Sequence, residues 1–452
     1  MQTKPSFSTY ALIGTMLFGM FFGAGNLIFP VQLGQGAGTH FWFVLLGFLI
    51  TAITLPFIGI LSIGLSNSKN LLDLGNRVHP TFSFIFSLLL YLAIGPLCAL
   101  PRTATVPFVV GFEPFISENY LALALLIFSF IFFALTCYFS LNPAKVMDYI
   151  GKYLTPAFLV FLFILIGVSI VSPMGKFEQS TGDASTAFMN GFTGGYQTMD
   201  ALAALAFGAV IVHAIKQQGF TTPKQVAYMT WKSGLFAMIL MMIIYGFIMY
   251  IGATSLDAIG TQENGGLILT AVAQYYFGKY GALLLAIIIV LACLKTSIGL
   301  TTACSEFFHD IMPRIRYRTF VVINCIVSFA IANVGLSQII RFAEPVLFFL
   351  YPIAIVLTLL TLLSPLFQQR KIVFILPLLL TLCISVIDGY NLLIIKIPNF
   401  TFQPFSIISE WYDEFLPFYT IGLGWLIPAL IGFIFAFIWH RLSNKNTSTS
   451  LN

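Results

Sequence analysis

Gly23-Ala24-Gly25-Asn26, Asp200 and the pair Lys295-Thr296 are the chemically useful residues set inside long apolar runs. The first group lies within Gly19–Pro30, where a helix is poorly served. Each glycine costs about 1 kcal/mol relative to alanine in a helix interior. A helix broken at membrane depth exposes N–H groups at the start of one half and C=O groups at the end of the other. The N–H end favours an anion such as a carboxylate. The C=O end suits Na⁺ or an ammonium group. Freed backbone groups at that depth are tolerated only beside protein or a water-filled cavity. A second interruption is expected around Asn190-Gly191-Phe192-Thr193-Gly194-Gly195-Tyr196, followed by Asp200 and by Ala203-Ala204-Leu205-Ala206-Phe207. Two such breaks hold a zwitterionic amino acid without a charged side chain. Phe21, Phe22, Ala203, Ala204, Leu205 and Phe207 suit an aliphatic substrate side chain.

The isolated charges invite two readings each. A lysine at a helix centre costs about 3 kcal/mol on insertion scales, so Lys295 should face protein or water. It either takes part in ion or proton coupling or is a structural lysine satisfied by carbonyls. Asp200 either pairs with a cation or relays protons, or it caps the second half of a broken helix, as aspartate often does. Thr296 is the hydroxyl expected to touch ion or substrate. Arg341 and Glu344, three apart, are expected to pair. The histidines, His213 and His309 among them, form no ligand pair, and no transition-metal site is expected.

These residues need helices to position them. Of 452 residues, 59% are hydrophobic and 8% charged, with a mean hydropathy of +0.96. A soluble domain is typically about 25% charged. Hydrophobic runs of bilayer-spanning length give about twelve candidate spans. They begin at Tyr10, Phe41, Phe82, Leu121, Gly151, Ala187, Ser233, Gly281, Arg318, Val346, Ile372 and Phe418. The third, with Pro96 and a following Pro101-Arg102, reads as awkward or as a longer kinked helix. With the N-terminus in the cytoplasm, most of the 21 basic residues fall in inside segments, while Arg102, Lys176, Lys279 and Lys396 fall outside. An even number of spans with both ends inside follows. Gly252–Tyr280, with room for a short surface helix, and Asp388–Pro417 are the longest outside loops, and residues 443–452 are expected to be a disordered cytoplasmic tail. The first span lacks a small-residue cleavage site and reads as a mature helix.

No HExxH, GxSxG or Walker A motif is present, which argues against an intramembrane enzyme or an ATP-driven pump. The dispersed basic residues argue against nucleic acid. A channel also tolerates broken spans, but paired inverted halves suit alternating access better.

Three strings, FGAGNLIFPVQLGQGAG, GYQTMDALAALAFG and LACLKTSIGLTTACSEFF, together with PRTATVPF, resemble the bacterial branched-chain amino acid carriers of the BrnQ type. The resemblance covers nearly the whole chain. It implies an all-α polytopic membrane protein with a LeuT-like fold: two inverted five-helix repeats plus two C-terminal helices, with helices 1 and 6 broken. On that scheme residues 1–442 form one transporter domain, with 10–171 the first repeat, 187–364 the inverted repeat and 372–440 the two extra helices. The implied function is uptake of leucine, isoleucine and valine across the bacterial plasma membrane, coupled to Na⁺ or H⁺ and using no other cofactor. The alternative is another neutral amino acid or amine with different coupling. The resemblance further implies that Gly23, Ala24, Gly25 and Asn26 bind the substrate carboxylate and that the Asn26 oxygen helps hold Na⁺. It implies that Gly19 and Phe22 offer carbonyls to a second cation site, beside Lys295 and Thr296. Ala203–Phe207 would be the unwound part of helix 6. The absence of Ser or Thr in Ala201–Phe207 departs from better-known members of that fold.

Overall fold

The computed structural model describes residues 6–66, 68, 70–141, 155–179, 182–396 and 403–449. Lys4, Lys69, Lys145 and Lys152, four of the basic residues expected on the cytoplasmic side, lie outside them. Every regular element among the described residues is helical. The first segment forms α1 (Phe7–Phe21) and α2 (Gly25–Ala37). The second forms α3 (Phe41–Leu49) and α4 (Leu55–Ser66), joined by a π-helical turn at Ile50–Thr54. A short α5 (Leu71–Gly75) precedes α6 (Pro80–Leu92) and α7 (Ala99–Gly111). Then come α8 (Leu121–Ser140), α9 (Thr155–Val171), α10 (Ala184–Tyr196) and α11 (Asp200–Gln217). The second half continues with α12 (Pro223–Ile259), α13 (Gly265–Ile311), α14 (Tyr317–Ala332) and α15 (Leu336–Leu363). The last three are α16 (Lys371–Lys396), α17 (Gln403–Phe415) and α18 (Leu426–Thr449).

Seven helical runs among the described residues are long and apolar enough to cross a membrane, or eight if one bent pair is counted as a span. The breaks have local causes. Gly95 leaves helical geometry (ψ −127°) just before Pro96, so the third span is split rather than continuous. It reaches Gly111, beyond Pro101-Arg102, which is the longer kinked form of the two readings. Gly278, at φ 63°, kinks α13. Pro377 sits inside α16 without ending it.

Three sequence expectations are corrected here. The stretch Gly252–Tyr280 is not a loop. Helix α12 runs to Ile259, and Asn264 starts α13 by accepting the Gly266 and Leu267 N–H groups at 3.0 and 3.2 Å. The tail expected to be disordered from Ser443 instead continues α18 to Thr449, since extending a formed helix adds one hydrogen bond per residue fixed. The segment Asn190–Tyr196 is helical, not broken. Its glycines serve helix contact. A Cβ on Gly191 would lie 2.0 Å from the Val44 carbonyl oxygen, and one on Gly195 would lie 1.9 Å from Thr51 Oγ1. Small residues that let backbones approach are how membrane helices associate when lipid gives no hydrophobic drive.

The same device holds α2 against α12. A Cβ on Gly34 would meet the Met249 carbonyl oxygen at 2.0 Å, and one on Gly252 would meet that of Val31 at 2.0 Å. Gly252→Ala is therefore expected to lower the thermal midpoint of the purified protein by about 3–10 °C, since overpacking costs about 1–3 kcal/mol or more. Gly36→Ala, with nothing within 4 Å of the new methyl, should leave it unchanged. Intrinsic-fluorescence melting in detergent reads both. Equal midpoints for the two variants would refute the close-packing account.

Candidate functional site

The first break is short. Phe22, Gly23 and Ala24 separate α1 from α2, and Phe22 is extended (ψ 96°). Asn26, one residue into α2, steadies the break: its Oδ1 accepts the Gly23 N–H at 2.9 Å. The second break is Gln197, Thr198 and Met199. Met199 sits in the left-handed region at φ 61°, which disfavours a bulky side chain, and such strain concentrates at functional sites. The unwound part of helix 6 is thus N-terminal to Asp200. Ala203–Phe207, expected to be unwound, is regular helix within α11. Nor is Asp200 the N-cap, which is Met199 and carries no side-chain cap bond. Asp200 is the first residue of α11, where a negative charge complements the helix dipole.

The two breaks meet. Asn26 Nδ2 donates to Asp200 Oδ2 at 2.6 Å and also to the Tyr245 hydroxyl of α12. Tyr245 in turn donates to Asp200 Oδ2 at 2.9 Å. All three residues are buried. The Asn26 oxygen, which the resemblance gives to Na⁺, accepts the Gly23 N–H and keeps a second lone pair.

Arg102 belongs here too, and the sequence reading put it in an outside loop. It is 3% exposed. Its Nη1 donates to the Gln197 carbonyl at 3.0 Å, its Nη2 to Met199 Sδ, and its Nε to the Cys98 carbonyl at 3.4 Å. The guanidinium carbon lies 5.5 Å from the centre of the Phe29 ring. The split third span carries this arginine inward, because α7 continues the span beyond Cys98. Neither Arg102 nor Tyr245 stood out in the sequence. The signals were a lone arginine between prolines in an apolar run and a lone tyrosine within Met-Met-Ile-Ile-Tyr.

A cavity of about 40 Å³ lies between the breaks. Gly23, Ala24, Gly25, Asn26, Asp200, Ala203, Phe207 and Thr296 are among its lining residues. Asp200 is its one acid and Arg102 its one base among the described residues. Ala203 and Phe207 face it with Asp200 because they follow one helical face. Ala204 instead meets Gly59 of α4, and neither it nor Leu205 lines the cavity. Phe21 stands edge-on to Phe207 at 6.2 Å, and Phe22 stacks on Phe18 at 4.9 Å. Thr296 Oγ1 reaches the Phe22 carbonyl at 3.5 Å. Lys295 is buried at 7% exposure, and Gly19 is buried within α1. A cavity that takes a benzene-sized guest measures about 150 Å³. The site is therefore nearly closed around its polar groups.

Next to it, where Arg102 meets Phe29 and Gln197, lies a larger cavity, the vestibule, of about 450 Å³. Phe29 and Gln197 line it, and both are held by Arg102. His40, Asp183 and Glu344 are also among its lining residues. The Ser185 and Thr186 hydroxyls and the Thr186 N–H hold the Asp183 carboxyl well below the usual range, so it stays ionised there. Glu344 does not pair with Arg341 as expected. It pairs with Lys396, and Arg341 donates to the Lys396 carbonyl at 2.7 Å.

A family model described as branched-chain amino acid transport protein matches residues 7–443. The branched-chain amino acid permease BrnQ of Bacillus subtilis (strain 168) is 44% identical over 451 residues, covering 100% of each chain. The branched-chain amino acid transport system 2 carrier protein of Pseudomonas aeruginosa is 38% identical over 440 residues, covering 96% of each. Two solved structures share the fold. Mhp1, a nucleobase-cation-symport-1 family transporter with bromovinylhydantoin bound, superposes with a TM-score of 0.61 at 14% identity, over 96% of this chain and 93% of that one. MhsT in complex with L-phenylalanine gives 0.56 at 16% identity, over 95% and 98%. The chain thus has a LeuT-type fold.

Proposed function

Since the chain belongs to the branched-chain amino acid transport protein family, whose members are transporters and not enzymes, we propose that it is a secondary active symporter for leucine, isoleucine and valine. One observation carries the substrate reading beyond the family name. Among the described residues, a single buried carboxylate and a single buried guanidinium line one small cavity between two broken helices, and no ion pair joins them. That is a complement to a zwitterion. Asp200 takes the ammonium. Arg102 and the first N–H groups of α2, at Gly25 and Asn26, take the carboxylate. The aliphatic side chain packs toward Ala203, Phe207 and Phe21.

The coupling cation, Na⁺ or H⁺, sits near the Phe22 carbonyl, with Gly19 and Thr296 as neighbours and Lys295 beside them. No other cofactor takes part. Transport proceeds by alternating access: the vestibule admits substrate, and Arg102 with Phe29 and Gln197 forms the partition that must open. About twelve spans follow if α1–α2, α3–α4, α6–α7 and α10–α11 each cross once, a length the bilayer requires. Residues 10–171 and 187–364 would then be inverted repeats and 372–440 the two extra helices, all within one domain of residues 1–442. Both termini lie in the cytoplasm of a bacterial cell, by the excess of lysine and arginine on that side. Removing Arg102 from the outside loops sharpens that bias.

Labelled leucine uptake into proteoliposomes, under separate Na⁺ and proton gradients, tests the reading. One gradient should drive saturable uptake with counterflow; stimulation by neither would end the symport claim. Lys295→Thr separates the two readings of the lysine. A lysine that occupies the cation region should, when replaced, change the cation dependence of uptake by about 10-fold or more, as expected for an intramembrane charge with a role. Unchanged rate and cation dependence would make it structural.

A further inference from the structure

A second cavity, of about 690 Å³, opens between α10, α15, α16 and α17. It is separate from the central site and shares one wall with the vestibule, since Thr186, Asn190 and Thr193 line both. Among the described residues its ionisable lining is acidic except for tyrosine: Asp388, Glu410 and Asp413. Glu410 and Asp413 are exposed on α17. Asp388 is different. It lies within α16 at 8% exposure, and its Oδ2 is fully buried with no hydrogen-bond partner among the described residues. Buried carboxylates are costly unless paired, and a specific unsatisfied one calls for an explanation.

The wall around Asp388 is fixed. Gly389 packs against the Pro345 carbonyl of α15, where a Cβ would stand 3.0 Å away. Asn391 donates to Ser409 at 2.7 Å and to the Tyr419 hydroxyl at 2.9 Å, which ties α17 down onto α16. Phe348 and Tyr419 add aromatic lining. No group of three acids, histidines or cysteines among the described residues converges closely enough for a metal ion. A dispersed acidic field, a buried carboxylate and aromatic walls around this volume fit a bulkier guest of opposite charge, with cation–π attraction added.

We propose that this cavity is a binding site for a small organic ammonium ion, with Asp388 as its counter-ion. Phe348 links it to the transport machinery. Its ring stands edge-on to Tyr196 at 5.7 Å, and Tyr196 is the last residue of α10 before the second break. A guest here leans on the helix half that alternating access must move, so it slows leucine uptake without competing for the central site.

The test is calorimetric titration of phenethylammonium chloride into the full-length protein in nanodiscs, with and without saturating leucine. Expected are one saturable site, binding that persists at saturating leucine, and at least tenfold weaker binding of the neutral analogue 2-phenylethanol. Asp388→Asn should weaken phenethylammonium at least tenfold while leucine binding persists. The exposed pair Glu410→Gln/Asp413→Asn, which leaves the helix packing alone, should weaken it at least threefold and decides the matter if Asp388→Asn does not fold. Absence of binding, displacement by leucine, equal binding of the alcohol, or unchanged affinity in the variants would each overturn the proposal. Leucine titration of the same samples reads the central site, so failure of the transporter reading would show separately.

Discussion

Asp200→Asn lowers leucine affinity by at least about 30-fold and abolishes coupled uptake, because truncating one partner of a buried charge pair costs about 2–5 kcal/mol. The substitution is nearly isosteric. The amide oxygen can still accept from Asn26 and Tyr245, the donors that now share Asp200 Oδ2. The fold should therefore survive, with a thermal midpoint near that of the wild type. What disappears is the one negative charge lining the central cavity. Leucine binding to the purified protein, measured beside its melting curve, separates binding from stability. A second comparison identifies the charge's target. Isocaproate is leucine without the ammonium group. If Asp200 holds that ammonium, wild type should prefer leucine strongly and Asp200→Asn should lose most of the preference. Wild-type affinity and preference in the variant would reduce Asp200 to a strut between the two breaks.

Arg102 gives the complementary result. Arg102→Lys keeps the charge but loses the planar fork that spans the Gln197 carbonyl and the Met199 sulfur while lying over Phe29. Hydrogen bonds to charged groups contribute about 1.5–3 kcal/mol each, so leucine affinity should fall about 10- to 100-fold. Arg102→Met preserves a long side chain and removes the charge, and its loss should be at least as large. The distinguishing probe is isoamylamine, leucine without its carboxylate. Wild type should discriminate against it, and Arg102→Met should discriminate far less. A merely structural arginine would lower the melting point in both variants yet leave that discrimination intact. Because Arg102 also holds Phe29 and Gln197 in the vestibule lining, both variants should exchange substrate through the vestibule faster at saturating leucine. Slower exchange would count against its role as a partition.

The residues explain how far the chain could be read without its fold. Hydropathy is a local sum, so the apolar runs were visible, and so was a break at Gly23-Ala24, where glycine weakens helix, although Gly25 and Asn26 already belong to α2. The strings around those breaks were enough to indicate the family. Gly191, Gly194 and Gly195 looked like a second break for the same local reason. Only the tertiary structure shows that Gly191 and Gly195 are close contacts to Val44 and Thr51, which leaves the break to Gln197–Met199. Whether a glycine breaks a helix or lets another approach it depends on a neighbour well over a hundred residues away in sequence, and no local propensity contains that. Arg102 follows the same logic. A charge beside prolines reads as loop until the split third span turns it toward Gln197. The sequence by itself determined a helical membrane chain of this family, with a first break that includes Gly23 and Ala24. The tertiary structure decided that Asp200 and Arg102 share one cavity, because side-chain direction is set by long-range packing and not by composition.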